Sequence, residues 1–218
     1  MKLRKFYAAL AAVLMGGCML TACSEDDEPS VKQETTETEL IVSGMWKSGE
    51  VVHLDRHLVI PEGQSLTIEP GVTVIVDEKG VGVNHVPVEI EVKGNLYVLG
   101  TAEHPVTFTV DPALRTADNT FKGLWGGIVA YESCEEMALD HVVIEYTGAQ
   151  VIEGSPAAIA GIYTAGDDMY PQVTTSNLNG RYALTNSIIR NGASDGIYMM
   201  GGNGVITNNT FVAIGYTG

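Results

Sequence analysis

The chain has 218 residues, with 27 acidic against 12 basic side chains and a formal net charge of −15. This charge argues against a nucleic-acid partner and against electrostatic attachment to anionic lipid, because both need clusters of Lys and Arg. The chain has only three cysteines, which is too few to predict a disulfide framework.

The first 22 residues have the features of an export signal. Basic residues near the start precede a short apolar run from Tyr7 to Leu14, which is below the roughly 20 residues that span a bilayer. Leu20-Thr21-Ala22-Cys23 follows and resembles the lipobox of bacterial lipoproteins, in which cleavage leaves the cysteine as the lipid-bearing first residue. The resemblance implies a signal peptide over residues 1–22 and an outer-membrane lipid anchor at Cys23.

An acidic cluster, Ser24-Glu25-Asp26-Asp27-Glu28, lies directly behind Cys23. It is similar to the surface-export signal of Bacteroidetes lipoproteins, which implies an exported protein exposed at the cell surface. The alternative is a solvated, self-repelling tether, which the same charges would also produce. We predict an acidic flexible tether over residues 23–44.

From residue 45 onward, short β-rich runs alternate with glycine or proline corners, and no amphipathic helical stretch separates them. Alternation along these runs is expected to place Thr67, Glu69 and Glu91 on the outside. Strand–corner repetition of this kind is typical of a solenoid. Strands are predicted at Val51–Leu54, His57–Ile60, within Ser65–Val76 and Val88–Leu99, and at Val106–Val110.

The second half repeats itself. Leu184–Ile188 aligns with Ile206–Thr210 at an offset of 22 residues, and Leu139–Ile144 aligns with Leu184–Ile189 at an offset of 45. We interpret 22 residues as one coil and 45 as about two coils, with roughly seven or eight coils in all. A second series, Gly127-Ile128, Gly161-Ile162 and Gly196-Ile197, is interpreted as one coil lengthened by a loop.

Asn186 and Asn208 lie at equivalent corners of this repeat. We expect their side chains to turn inward and to bond the backbone of neighbouring coils, as asparagines at tight bends do. The alternative is a ligand-binding asparagine pair.

Three segments resemble the N-terminal region of right-handed parallel β-helix lipoproteins of Bacteroidetes: LTIEPGVTV at 66–74, GNLYVLGTAEHPVTF at 94–108 and LWGGI at 124–128. The family is functionally diverse, so the resemblance implies a fold and not an activity. We predict an all-β, single-domain right-handed parallel β-helix over residues 45–218. Because Gly218 aligns with the start of a further strand, we expect this helix to be truncated at its C-terminal end.

The sequence offers few candidate residues for catalysis or ligand binding. No catalytic residues and no metal site are predicted; neighbouring carboxylates such as Asp167 and Asp168 point to different sides of the chain and make a poor catalytic pair. The loop 164–180 offers Asp167, Asp168 and Tyr170 for contact with a sugar or for calcium, the one cofactor considered. Tyr163 and Tyr198 are expected to face outward as an aromatic step for sugar rings, the alternative being cross-coil packing.

The sequence therefore predicts a surface-anchored lipoprotein with a non-enzymatic binding or scaffold module for an extracellular polysaccharide. The first alternative is a polysaccharide lyase or glycoside hydrolase of the β-helix type, with its site completed beyond residue 218. The second is a protein-binding adhesin. An acidic pair opposed across coils favours the enzyme, and a smooth solenoid without a cleft favours the adhesin.

Overall fold

The computed structural model describes residues 31–215, which are almost entirely β-strand and turn. The helical segments are two 3-10 turns, Pro112–Leu114 and Ala117–Asn119, and the short helix α1, Pro156–Ile159. No helix in this part of the chain is both long and apolar enough to span a membrane. The strands are β1 Lys32–Thr35, β2 Glu39–Trp46, β3 Val51–Leu54, β4 His57–Ile60, β5 Ser65–Ile68, β6 Thr73–Val76, β7 Ile90–Val92, β8 Asn95–Leu99, β9 Val106–Val110, β10 Ile128–Ala130, β11 Glu136–Asp140, β12 Val142–Glu145, β13 Val173–Thr175, β14 Arg181–Thr185, β15 Ile188–Gly192, β16 Ile197–Met199, β17 Asn203–Thr207 and β18 Thr210–Ile214.

Strands β2 to β18 coil into three parallel sheets. Sheet A has the order β2-β4-β7-β10-β13-β16, sheet B the order β2-β5-β8-β11-β14-β17, and sheet C the order β3-β6-β9-β12-β15-β18. Strand β2 serves two sheets, because Glu39–Ile41 pairs with β4 and Gly44–Trp46 pairs with β5. The parallel β-helix is therefore confirmed. The described residues form six coils, fewer than the seven or eight predicted, and span about 24 Å at the usual strand spacing.

The core is built from inward-facing residues that stack in register from coil to coil. In sheet A, for example, Leu58, Ile90, Ile128 and Val173 occupy one such row, and all four are buried. Burial of each aliphatic side chain of this kind contributes about 1.5–3 kcal/mol to the free energy of folding. Trp125 is also fully buried, and its indole N–H donates to the Glu145 carbonyl at 2.9 Å, so its polar atom is satisfied within the core.

The N-terminal edge of the helix is covered by β1, which pairs antiparallel with β2. The flexible tether predicted over residues 23–44 is therefore too long, because residues 32–35 form β1 and residues 39–44 belong to β2. The signal peptide, the lipobox with Cys23 and the acidic cluster lie outside the described residues.

The 45-residue repeat offset is one coil and not two. Strand β11 pairs directly with β14, so that Leu139 lies beside Leu184. The extra length is an excursion, residues 146–172, which leaves the helix after β12 and returns at β13. Val173, and not Ile162, is the residue in register with Ile128 and Ile197. The predicted single loop 164–180 is therefore wrong, because it contains strand β13.

The corner side chains are arranged differently from the prediction. Asn186 and Asn208 adopt left-handed backbone conformations, with φ of 53° and 57°, which asparagine tolerates better than most residues. Their side chains stack on the outside, where Asn208 Nδ2 donates to Asn186 Oδ1 at 3.3 Å. The amide that turns inward belongs to Asn209, which donates to the Leu184 carbonyl at 2.6 Å and accepts from the Ser187 N–H at 2.9 Å.

Candidate functional site

The outer face of sheet A carries two adjoining clefts. A cleft of about 660 Å³ lies there between the turn at residues 81–86 and helix α1 of the excursion. A second cleft of about 470 Å³ shares Lys93, Tyr131 and Ala160 with the first. It continues toward Ser176 and Met200. We call the two clefts together the sheet-A groove.

The floor of the groove follows from strand alternation. Ile90 and Val92 of β7 face the core, so Glu89, Glu91 and Lys93 face outward. The Tyr131 N–H donates to the Val92 carbonyl at 2.9 Å, which places Tyr131 beside Lys93 on the next coil. The outward direction predicted for Glu91 is correct, but its side chain is only 2% exposed because neighbouring outer-face groups cover it.

Glu91 and Lys93 form a close ion pair in the groove. Lys93 Nζ lies 2.7 Å from Glu91 Oε2 and 5.3 Å from the centre of the Tyr131 ring. The other carboxylate oxygen, Glu91 Oε1, is buried and has no hydrogen-bond partner among the described residues. Burial raises the pKa of Glu91, and the hydrogen bond from Lys93 opposes this shift. The site thus presents a cation beside a carboxylate that has unused acceptor capacity.

Glu89 lies beneath the excursion and holds it against the sheet. Its Oε1 accepts from the Tyr131 hydroxyl at 2.6 Å, and its Oε2 accepts from the Tyr170 hydroxyl at 2.6 Å and from the Ala157 N–H at 3.1 Å. Complete burial raises the pKa of Glu89 to about 7, although the two tyrosine bonds lower it. Glu89 therefore joins the excursion to the β-helix through two hydrogen bonds, and its third bond, from Tyr131, lies within the β-helix.

His57 lies next to Glu89 and also lines the groove. The Glu89 N–H donates to His57 Nδ1 at 3.1 Å, so this nitrogen acts as an acceptor and carries no proton. Burial, and secondarily the Lys93 charge, lowers the pKa of His57 to about 4. The imidazole is therefore neutral at physiological pH.

The predicted aromatic step is not present as expected. Tyr163 lies in the excursion, half-buried, with its ring edge-on to Tyr170 at 6.1 Å between centroids and its hydroxyl 2.6 Å from Thr174 Oγ1. Tyr198 is 46% exposed on β16, in register with Thr174. The structure brings both tyrosines to the outer face of sheet A, but only Tyr198 presents a ring to solvent.

The other predicted ligand-contacting residues are engaged within the excursion. Tyr170 is fully buried, so the proposal that it contacts a sugar or calcium is wrong. The Asp168 carboxylate accepts from the Thr164 N–H at 2.6 Å, while Asp167 is exposed. Within residues 31–215, no group of three or more His, Cys, Asp or Glu side chains is placed to hold a metal ion.

A smaller cleft of about 350 Å³ at the end of sheet C contains Asp55, Asp77 and Asp111. These residues follow three strand positions that are in register on successive coils. The first carboxylate is paired with Arg56, and the other two accept from backbone N–H groups two residues later. The three carboxylates therefore stabilise the turns in which they lie.

Sequence reasoning missed the groove residues His57, Lys93 and Tyr131, and it missed Glu89, which lies beneath the excursion. One signal was present in the run EIEVK at 89–93, in which three charged residues alternate with core residues on a strand. Three charges on the outer face of one solenoid strand indicate either a solvated surface or a site. The excursion covers Glu89 and forms one wall of the groove, and nothing in this pattern predicts it.

Comparison with known proteins supports the fold and is silent on activity. Residues 38–136 match the family model described as a pectate-lyase-like beta-helix domain. No curated protein and no solved structure matches the chain. The matched range includes Glu39, His57, Glu91, Lys93 and Tyr131, whereas the excursion lies beyond it. The match to this family model supports the parallel β-helix that the strand pairing shows.

Proposed function

We propose that this domain is a non-enzymatic glycan-binding module of a surface-anchored lipoprotein, and that the sheet-A groove is its binding site. The observation that carries the proposal is the groove itself, which crosses several coils and is lined by polar groups on a rigid floor. Binding sites are typically concave surfaces of this kind with a few polar groups. The groove extends from Glu39 on the first coil to Met200 on the last, which suits an extended chain better than a single sugar.

Exposed apolar side chains at the rim support a contact surface. Val83 is 93% exposed and Ile159 is 78% exposed, and both line the larger cleft. Large apolar side chains that face water beside a polar cleft often mark a binding site, and the C–H faces of sugar rings would cover them. Tyr198 lies on the same face and extends this surface.

The presence of a cleft argues against the adhesin, for which we expected a smooth solenoid. One observation favours the enzyme as a second candidate. Glu91 is a buried carboxyl with a raised pKa in a groove that also contains Glu39, and a hydrolase needs one protonated and one ionised carboxyl group. The ion pair with Lys93 makes Glu91 a poor proton donor, so we rank binding above hydrolysis.

The first experiment measures retention and cleavage of a polysaccharide panel by the soluble chain that starts after Cys23. We expect retention in affinity gels without new reducing ends. The rim variant Val83→Glu/Ile159→Glu should lose retention, and Tyr198→Ala should weaken it. Val51→Glu, at a strand position on sheet C that is 58% exposed, is the matched control and should bind normally. New reducing ends would establish the enzyme, and equal retention by the rim variant would exclude the groove.

Surface anchoring is tested separately. Cells that express the full chain are labelled with an alkyne fatty acid, and external protease is then added to intact cells. We expect label on the wild-type protein, loss of label in Cys23→Ala, and digestion of the wild-type protein from outside. An unlabelled wild-type protein would refute the lipid anchor, and a labelled protein that resists external protease would refute surface exposure.

A further inference from the structure

We infer that the sheet-A groove selects a neutral saccharide with vicinal hydroxyl groups and rejects uronate polymers, and that the Glu91–Lys93 pair is the recognition subsite. This inference rests on the proposed glycan-binding function and names its ligand class. It departs from what a match to a pectate-lyase-like domain would suggest, since pectate is a polyuronate.

The negative charge of the groove is the first reason to expect a neutral ligand. Its lining contains the four carboxylates Glu37, Glu39, Glu91 and Glu132. Lys93 is the one Lys or Arg that lines it in the described part of the chain, and its ammonium is already paired with Glu91. His57 is neutral, so it adds no positive charge. A uronate polymer would bring one carboxylate per sugar into this surface, and like charges placed together oppose binding.

The Glu91–Lys93 pair carries the second step. The two charged atoms are 2.7 Å apart, similar to the spacing of neighbouring hydroxyl oxygens on a pyranose ring. One hydroxyl can donate to the carboxylate while its neighbour accepts from the ammonium, so that a diol matches both charges at once. A hydrogen bond to an ionised group is stronger than one between two neutral groups, and a neutral diol would form two such bonds here.

The unpartnered oxygen carries the third step. Glu91 Oε1 is buried at the floor of the cleft without a hydrogen-bond donor. The one hydroxyl proton of Tyr131 is donated to Glu89. Leaving a buried carboxylate oxygen unpaired is costly, so a ligand hydroxyl placed there would be favoured.

The test compares each neutral polysaccharide of the panel with its own C6-oxidised form, which has the same linkages but a carboxylate on each sugar. Binding of both forms to the soluble wild-type chain is measured by calorimetry. Two substitutions accompany it: Glu91→Gln, which keeps the shape and removes the charge, and Lys93→Met, which keeps the aliphatic stem. Glu62→Gln, an exposed carboxylate at a corner outside the groove, is the matched control. Circular dichroism checks that each variant folds.

We expect at least one neutral polymer to bind, its oxidised form to bind at least about tenfold more weakly, and Glu91→Gln to weaken neutral binding by about tenfold. Equal or tighter binding of an oxidised form would overturn this inference and leave the proposed function standing. Normal neutral binding by both Glu91→Gln and Lys93→Met would overturn the subsite. If no polymer of either kind binds, the proposed function fails and this inference fails with it. If Glu91→Gln does not fold, the inference is tested by the binding of neutral polymers to Lys93→Met and by the comparison of neutral with oxidised polymers on the wild-type chain.

Discussion

Replacing Glu89 by Gln should change how the stability of the protein depends on pH. The amide has nearly the same shape as the carboxyl group. Its oxygen can accept from Tyr170 and Ala157 as Oε2 does, and its NH₂ can donate to the Tyr131 hydroxyl oxygen in place of the bond that Oε1 accepts. The packing of the excursion is therefore retained, while the charge that forms at high pH is removed.

The magnitude follows from the pKa of Glu89, which burial raises from 4.5 to about 7. A shift of this size corresponds to about 3 kcal/mol. The folded carboxyl holds its proton to higher pH than the unfolded one. Its contribution to stability is therefore complete below pH 4.5 and is lost as the pH rises through about 7.

His57 acts in the opposite direction, because its folded pKa of about 4 lies below the ordinary value of 6.5. Its contribution is present above pH 6.5 and is lost as the pH falls through about 4. The two effects nearly cancel in the wild-type protein between pH 4.5 and 6.5. In Glu89→Gln only the His57 effect remains, so stability should rise over this range. The difference between variant and wild type should grow in favour of the variant by about 3 kcal/mol from pH 4.5 to 8.

Urea denaturation at a series of pH values measures this difference, with the fluorescence of the buried Trp46 and Trp125 as the signal. The exposed Glu62→Gln variant is the control and should track the wild type at every pH. A difference between Glu89→Gln and wild type that is the same at pH 5 and pH 8 would refute the assignment of the raised pKa to Glu89.

Three further predictions concern the framework. Asn209→Ala should lower the free energy of unfolding by about 1–2 kcal/mol, because it removes two half-buried hydrogen bonds to the backbone, whereas Asn208→Gly should change it by less than about 0.5 kcal/mol; urea denaturation distinguishes them. Gly127→Ala should lower the thermal midpoint and cost roughly 2 kcal/mol or more, because an added Cβ would overlap the Pro171 carbonyl oxygen; an unchanged midpoint would contradict this packing. Cys134 is buried, which raises the pKa of its thiol to about 12, so a thiol reagent should label it only after denaturation.

The repeat shows which strand pairings can be predicted from the sequence and which cannot. The alignment of Leu184 with Ile206 predicted two strands that do lie side by side, because a solenoid places equivalent residues of consecutive coils in contact. The same reasoning misread the 45-residue offset between Leu139 and Leu184, since an inserted excursion and an additional coil lengthen a repeat equally. Only the strand pairing distinguishes these two cases.

The candidate site was less accessible to prediction than the fold. The sequence predicts an outward direction for Tyr163 and Tyr198 because each follows an isoleucine that is expected to face the core. Tyr163 proved to belong to the excursion, where local strand alternation does not apply. The excursion covers the outer face of β10 and the Glu89 side chain. Glu89 is therefore buried although its position faces outward, and neighbouring groups of the outer face bury Glu91.

The sequence alone determined the β-helix, because short strands with stacked aliphatic residues and glycine corners have few other ways to bury their apolar side chains. It also determined which residues of β7 face away from the core, since alternation is a property of the strand itself. Tertiary structure decided which outward residues line the candidate site. The route of the excursion across sheet A depends on long-range contacts, chiefly those of Glu89 with Tyr170 and Ala157. These two residues lie 81 and 68 residues from Glu89 along the chain, so no local sequence pattern connects them with it.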